Sequence, residues 1–279
     1  MTTINEQQAI IDAAERARQN FELYEFLYRD GYNIPIGLGE EDQPCSIAAI
    51  NLVLDDEFSD LIRPEMSYLI GQWMIQVQDW MPDHVRNGCV WKDLIVDSAW
   101  TGRENEVAIE HYQQEWLFHK VFGSVQVIAG YVGCGSLWRL MCDQQSPRSI
   151  NNVILELRRL KEAARWDPPG KNFLRKNLLN MAKVVRSWAV NMEDDDDAEI
   201  NYDAFPEPTT LRMFSLHLTN GTLVEAMNNV FNAWDYYHGL TAMGSSVEAR
   251  LRIQEWLTNE EFKIGESLTE MIAIAKGAK

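Results

Sequence analysis

The residues best suited to bind a metal ion are His111, Glu115 and His119, which follow one another in steps of four. Such steps place side chains on one face of a helix. A divalent ion needs three or four ligands within roughly 2.0 to 2.3 Å, but residues eight apart on a helix lie about 12 Å apart along its axis. His111 and Glu115 are therefore the metal candidates, with further ligands needed from elsewhere. Ordinary polar residues on a helix surface are the alternative interpretation.

Motifs that carry other chemistries are missing. The sequence contains no GxSxG, no Walker loop, no GxGxxG that follows a strand, and no zinc-ribbon spacing. Glycines between residues 130 and 135 interrupt an apolar helical pattern, which favours tight helix packing over phosphate binding. Residues 235–239 (DYYHG) are interpreted as a helix end closed by Gly239. We predict no cofactor, and we do not predict an enzyme.

The cysteines favour a structure without disulfide bonds. The chain has four, Cys45, Cys89, Cys134 and Cys142, too widely spaced for a disulfide scaffold and without a CxxC pair. We expect buried free thiols. Cys134 could serve as a nucleophile only with a histidine beside it in space.

The formal net charge of −17 is divided into three blocks along the chain. Residues 1–150 carry −13, residues 151–190 carry +6, and residues 191–279 carry −10. An evenly negative protein would repel nucleic acids and anionic membranes, but the middle block does not share that charge. Arginine also outnumbers lysine, 16 to 9, and arginine makes forked contacts with carboxylates and phosphates.

The predicted partner-binding residues of the middle block combine cations with one tryptophan. This combination suits phosphates, stacked bases or an acidic protein face. The residues are Arg158, Arg159, Lys161, Arg165, Trp166, Lys171, Arg175 and Lys176. The alternative interpretation is that these cations pair with acidic segments of the same chain.

A second predicted partner-binding set lies in an acidic run. Its members are Asp194, Asp195, Asp196 and Asp197. Consecutive carboxylates lack the alternating ligands and the central glycine of a calcium-binding loop. Residues 193–210, which are acidic and contain two prolines, are instead predicted to be a solvated linker or an electrostatic contact for a basic surface.

Apolar residues at three- and four-residue spacing predict helices along most of the chain. The predicted spans are 5–29, 45–54, 64–80, 90–98, 104–122, 124–142, 148–166, 171–192 and 209–218, and the span 124–142 is either two helices or one kinked helix. Capping boxes predict helix starts at Thr101, Thr222, Ser245, Thr258 and Ser267. Residues 167–170 (DPPG) predict the tip of a hairpin.

These elements predict an all-α fold, a multi-helix bundle with a basic helical hairpin and an acidic linker. The predicted parts are an acidic helical domain over residues 1–147, the hairpin over 148–192, the linker over 193–210 and a helical bundle over 211–279. No apolar run reaches the length of about eighteen residues that a membrane span needs, and the first residues lack the features of a secretory signal. We therefore expect a cytoplasmic protein without membrane contact.

Residues 45–103 resemble a segment found in uncharacterised phage and prophage proteins. The resemblance is carried by CSIAAINLVL, by MSYLIGQWMIQVQDWMPDHVRNGCVWKDLI and by TGRENE. It implies a phage or mobile-element context and brings no catalytic motif with it.

Charge and resemblance together predict a protein that acts by protein contact. The expected partner has a basic surface that normally holds nucleic acid, and the acidic chain would occupy it as a phage-encoded inhibitor or regulator. Two alternatives stay open. One is a nucleic-acid-binding component that uses residues 158–186, and the other is a metal-dependent enzyme that uses His111 with Glu115 or Asp235.

Overall fold

The structure, a computed structural model, describes residues 4–163, 167, 169–189, 222–241 and 246–278. Over these residues it is mostly helical, with two strands of two residues each, and the all-α prediction is confirmed. Within the described ranges, no helix has the length and hydropathy needed to cross a bilayer. Predictions that lie outside these residues include Arg165 and Trp166, the run 194–197, the linker 193–210, the helix 209–218 and the helix start at Ser245.

The chain divides into two compact units. Unit 1 comprises Met1–Glu106 and Leu268–Lys279, and unit 2 comprises Val107–Ser267. The sequence predicted a boundary at residue 147 instead. The two divisions differ because helices on both sides of residue 147 pack together in unit 2, and because the end of the chain belongs to unit 1.

Unit 1 is organised around one short, buried helix. Its elements are α1 (Ile4–Tyr28), β1 (Gly39–Glu40), β2 (Gln43–Pro44), α2 (Ser46–Asp55), α3 (Tyr68–Trp80), α4 (Asp83–Arg86) and α5 (Cys89–Ser98). The helix α2 packs against α1, α3 and α5. Its first six residues are all buried, as expected of a helix that is apolar on every side.

The amino end of α3 is capped by side chains from two places in the sequence. Ser67 is the N-cap, and its hydroxyl accepts a hydrogen bond from the N–H of Ile70 at 3.2 Å. The carboxylate of Glu106 accepts from the N–H groups of Tyr68 at 2.7 Å and Leu69 at 3.2 Å. A helix leaves these donors unpaired at its start, where its dipole also favours a negative charge. Glu106, the last residue of the first segment of unit 1, therefore connects that segment to the start of α3.

Unit 2 has α10 at its centre. Its elements are α6 (Glu106–Trp116), a π-turn (Leu117–Phe122), a 3₁₀ turn (Gly123–Val125), α7 (Gln126–Val132), α8 (Gly135–Gln144), α9 (Pro147–Ala163), α10 (Pro169–Ala189), α11 (Thr222–Thr241), α12 (Val247–Trp256), a second π-turn (Leu257–Glu261) and the first turn of α13 (Ile264–Ala275). The helix α10 packs against both α9 and α11. On α9 the buried residues Ile150, Val153, Ile154 and Leu157 follow helical spacing, so one apolar face meets the core.

The glycine-rich segment between residues 130 and 135 separates α7 from α8. Gly133 has a φ of 96°, a left-handed conformation that glycine adopts without strain. A Cβ atom at Gly135 would lie 2.9 Å from the Cα of Gly130, so the backbone approaches itself closely here. The segment thus forms two helices, and its geometry agrees with the packing interpretation of these glycines.

Three of the predicted capping boxes are wrong. In each, the hydroxyl donates to a backbone carbonyl three to five residues earlier and caps no helix start; the residues are Thr101, Thr258 and Ser267. Serine and threonine commonly return their hydrogen to the preceding turn in this way. At α12 the N-cap is Ser246, which accepts from the N–H of Ala249, while the predicted Ser245 lies outside the described residues.

A buried arginine joins three backbone segments of unit 1. Arg86 is 4% exposed and donates to the carbonyl oxygens of Ile34 at 2.8 Å, Gln78 at 3.3 Å and Met81 at 3.2 Å. Its remaining nitrogen pairs with the carboxylate of Asp83, which is exposed. Arg86 thereby satisfies carbonyls at the end of α3 and in the loop that precedes β1.

Replacing Arg86 is expected to destabilise the protein strongly. Arg86→Met removes the arginine donor from the carbonyl oxygens of Ile34 and Met81, and we expect the free energy of unfolding to fall by about 3 kcal/mol. Asp83→Asn removes only the exposed partner and should cost less than about 1 kcal/mol. Urea denaturation followed by circular dichroism measures both. Equal losses in the two variants would contradict the structural role of Arg86.

Candidate functional site

Glu115 of the predicted metal pair bonds to other side chains in the structure. His111 is exposed, and the Glu115 carboxylate pairs instead with Nε2 of His119 at 3.0 Å. Gln145 also donates to Glu115, at 2.8 Å. No group of three or more His, Cys, Asp or Glu side chains that could hold a metal occurs among the described residues. Glu115 therefore takes part in a polar network with His119 and Gln145, and the metal site stays a prediction.

The cations of the predicted hairpin fall into engaged and exposed groups. Arg159 makes two hydrogen bonds of 2.7 Å to Glu156, and these bonds hold the pKa of the Glu156 carboxyl below its usual range. Arg175 is 5% exposed, pairs with Asp167 at 2.6 Å and donates to the carbonyl oxygen of Val132. Arg175 is thus a buried structural residue of unit 2 and is closed to a partner in this conformation. The two helices that carry these cations, α9 and α10, pack against each other.

The other described members of the predicted set lie nearer the surface. Lys161 and Lys176 are exposed, whereas Arg158 is half-buried. The ammonium of Lys171 lies 4.9 Å from the ring centroid of Tyr131, in a cation–π contact. Cations open to a partner are therefore available on both α9 and α10.

Tyr131, which contacts Lys171, and Phe173 are exposed aromatic residues on two packed helices, α7 and α10. Phe173 and Tyr131 are each 41% exposed, although both belong to helices that pack in unit 2. The Phe173 ring lies 4.4 Å from that of Tyr236 on α11. Lys176 follows Phe173 by three residues, so it shares the same face of α10. We call Tyr131, Lys171, Phe173, Lys176 and Tyr236 the cation–aromatic surface.

The DYYHG segment contributes to this surface instead of ending a helix. The helix α11 continues through Gly239 to Thr241, so the predicted cap at Gly239 is wrong. Tyr236 of this segment packs against Phe173. Within the same segment, Oδ2 of Asp235 forms an ion pair with Nε of Arg250 at 3.4 Å.

Unit 1 presents two acidic loops that we did not single out from the sequence. Acidic loop A is the turn between β1 and β2, with Glu40, Glu41 and Asp42, and acidic loop B, at the end of α2, contains Asp55, Asp56 and Glu57; all six residues are exposed. The helix between them has ten residues and is therefore about 15 Å long. Runs of three consecutive acids were the signal in the sequence.

Hydrogen bonds hold both acidic loops in place. In loop A, Arg29 donates to the backbone carbonyl of Asp42, and the neighbouring Gln43 accepts from the N–H of Asn33 at 2.8 Å. In loop B, Asp56 has a left-handed φ of 55°, and its N–H bonds to the carbonyl oxygen of Asn51. The carboxylates are thus displayed on ordered backbone.

In unit 1, some cationic side chains are buried, whereas the carboxylates are not. The buried charged residues among its described members are Arg63, Arg86 and Lys92, and no carboxylate is buried with them. Burial lowers the pKa of the Lys92 ammonium, which lies between the rings of Tyr28 and Tyr32. By composition, unit 1 has 21 acidic and 9 basic side chains. With three cations inside, its surface is more acidic than its composition alone indicates.

The cysteines behave as the sequence predicted, with one exception. All four are free, and three are buried, but Cys89 is exposed at the start of α5. Burial raises the pKa of the Cys134 and Cys142 thiols to about 12, and it also raises the pKa of Cys45. A thiol that stays protonated is a poor nucleophile, so the geometry does not favour a catalytic role for Cys134.

Native protein is expected to expose one reactive thiol. A disulfide reagent such as DTNB should react rapidly with Cys89 alone, and with all four cysteines after unfolding in guanidinium. Cys89→Ser should abolish the fast reaction. Rapid modification of Cys134 in the native Cys89→Ser variant would contradict this assignment.

No protein-family model, curated protein or solved structure matches this chain. Its function is therefore inferred from its own residues and their geometry, and the phage context of residues 45–103 stays a prediction.

Proposed function

We propose that the protein acts by binding another protein, and that unit 1 presents an acidic surface to a basic region of the kind that holds nucleic acid. The sorting of charge by burial carries this proposal. Unit 1 keeps Arg63, Arg86 and Lys92 inside and leaves its carboxylates at the surface. A dense negative surface attracts basic surfaces, steers their approach and repels nucleic acids that would compete for them.

The position of loop B supports a binding role because it opposes stability. Asp55, Asp56 and Glu57 lie at the carboxyl end of α2, which carries the negative end of the helix dipole. Negative charges there repel both the helix end and one another. Only Asp55 has a cation close by among the described residues, since Arg63 lies 3.5 Å from it. Carboxylates held where they cost stability are typical of residues retained for an interaction.

The two acidic loops are suited to bind a basic surface together. Both are ordered, and a helix of about 15 Å separates them. Carboxylates carried on a fixed backbone lose less conformational freedom on pairing with arginine or lysine than those on a mobile loop, which favours affinity. A basic surface built to follow a phosphate backbone offers cations over a comparable distance.

Neutralising loop B is expected to stabilise the protein and to weaken its binding. Asp56→Asn with Glu57→Gln removes like charges from the negative end of α2, which should raise the free energy of unfolding by about 0.5 kcal/mol. Asparagine also suits the left-handed conformation at position 56. Urea denaturation measures stability. Capture from lysate on immobilised full-length protein at moderate salt measures binding, and we expect a basic protein that added DNA releases.

Glu248→Gln with Glu260→Gln is the matched control for the loop B variant. Both pairs change the net charge from −17 to −15, but the control residues are exposed in unit 2. We expect the control to capture the partner as the wild type does. The proposal is wrong if no specific basic protein is retained, or if both variants lose capture equally.

A second candidate function, the binding of single-stranded nucleic acid, is favoured by the cation–aromatic surface. Exposed rings stack on bases of any sequence, and neighbouring lysines neutralise the phosphates. Phe173, Tyr131 and Lys176 provide both kinds of group within unit 2. This surface uses a smaller and partly different set of residues from the hairpin cations that the sequence predicted.

Phe173→Ala tests this second function. Loss of one stacking ring should weaken binding of a fluorescent single-stranded DNA by roughly tenfold in an anisotropy titration. Lys176→Gln should lower the dependence of binding on salt by about 0.7 in the logarithmic slope. Leu155→Ala, at an exposed apolar residue of α9, is the control and should leave binding unchanged. Absence of binding at low salt, or equal loss with Leu155→Ala, would contradict a nucleic-acid site here.

A further inference from the structure

Unit 1 contains an open cleft whose walls come from distant parts of the chain. Its volume is about 670 Å³, within the range of roughly 300 to 1,000 Å³ that small-molecule sites occupy. Residues that bear on binding are Arg16 of α1, Glu65, the loop residues Trp100, Glu104 and Asn105, and Lys276 after α13. Neither acidic loop lines it.

Trp100 provides a flat surface in this cleft. Its indole N–H donates to Oδ1 of Asn20 at 2.8 Å, which fixes the orientation of the ring. The guanidinium carbon of Arg63 lies 4.5 Å from the centroid of this ring, and the guanidinium carbon of Arg16 lies 5.5 Å from it. Arg63 is buried, whereas Arg16 is exposed and has no ion pair among the described residues. A flat ligand could therefore displace Arg16 from the ring at little cost.

Charges of opposite sign line the cleft. Arg16 and Lys276 provide cations, and Glu65 and Glu104 provide carboxylates. Partial burial acts to raise the pKa of Glu65, but its hydrogen bonds and the nearby Arg63 and Arg103 outweigh this and lower it. Glu65 is therefore ionised at neutral pH. A ligand that complements this cleft carries both an anionic group and hydrogen-bond donors.

The loop that carries these residues is tied down on two sides. The N–H of Gly102 donates to the carbonyl oxygen of Glu65 at 2.8 Å, and Asn105 donates to the carbonyl oxygen of Ala275 at 2.9 Å. Gly102 has a φ of 70°, and a Cβ atom there would lie 2.2 Å from Oε2 of Glu104. Glycine thus lets Glu104 fold over the loop, so the cleft is largely preformed.

We propose that this cleft binds a nucleoside monophosphate whose base carries an exocyclic amine. The base stacks on Trp100 in the place of Arg16, the phosphate binds Arg16 and Lys276, and the amine donates to Glu65 or Glu104. Stacked rings, arginine–phosphate contacts and carboxylate–amine bonds are the usual elements of nucleotide recognition. The residues that line this site differ from those of the proposed protein contact, since neither acidic loop lines the cleft.

Isothermal titration of the full-length protein tests the proposal with three probes: adenosine 5′-monophosphate (AMP), adenosine and inorganic phosphate. We expect AMP to bind with a dissociation constant below about 1 mM. Adenosine and phosphate should each bind at least about tenfold more weakly, because each provides only part of the contacts. Arg16→Gln and Glu104→Gln should each weaken AMP binding by roughly fivefold to tenfold.

Arg18→Gln is the matched control, because Arg18 is also exposed on α1 but does not line the cleft. It should bind AMP as the wild type does, and melting temperatures of all variants establish that they fold. The proposal is overturned if AMP fails to bind at millimolar concentration, if Arg16→Gln binds as tightly as Arg18→Gln, or if phosphate alone binds as tightly as AMP.

Discussion

The structure of unit 1 depends on arginine side chains that bind backbone carbonyl oxygens. Arg86 donates to the carbonyls of Ile34, Gln78 and Met81, and Arg103 donates to those of Ile62, Arg63 and Met66. Helix ends and loops leave carbonyls without partners, and the forked guanidinium satisfies several at once. These acceptors are neutral, so both guanidinium groups are held mainly by backbone oxygens, and Asp83, the acidic partner of Arg86, is exposed. No carboxylate is buried among the described residues of unit 1, so its acids stay at the surface.

The two units also differ in formal charge. Unit 1 has −12 and unit 2 has −5, and the described part of unit 2 alone has 13 acidic and 14 basic side chains. A phosphate backbone would be repelled by the first and tolerated by the second. We therefore propose the protein contact for unit 1 and the nucleic-acid alternative for unit 2. The net charge of the whole chain, taken alone, would have argued against nucleic-acid binding, although the described part of unit 2 is close to neutral.

Local features of the fold were predictable from the sequence, and features that depend on long-range contacts were not. The helices α9 and α10 were predicted over 148–166 and 171–192, and they lie at Pro147–Ala163 and Pro169–Ala189, because the apolar spacing along each matches one buried face. Thr101 and Ser267 show that a local sequence motif can be misleading. Each fits a capping box, but its hydroxyl donates to a carbonyl earlier in the chain. The true acidic cap of α3 is Glu106, 38 residues after Tyr68, and no local pattern connects the two.

The same distinction applies to the candidate sites. The acids of loops A and B are consecutive, so their charge could be recognised in the sequence. The burial of Arg63, Arg86 and Lys92, which makes the surface of unit 1 more acidic, could not. The cleft of unit 1 is a stronger case, since Arg16, Glu65, Trp100 and Lys276 are distributed over almost the whole chain. Each of them alone is an ordinary surface residue. Only the return of the last residues to unit 1, with Asn105 bonded to the carbonyl of Ala275, brings cations, carboxylates and an aromatic ring to one place. A binding site of this kind depends on the closure of the fold, and composition and periodicity carry no information about that closure.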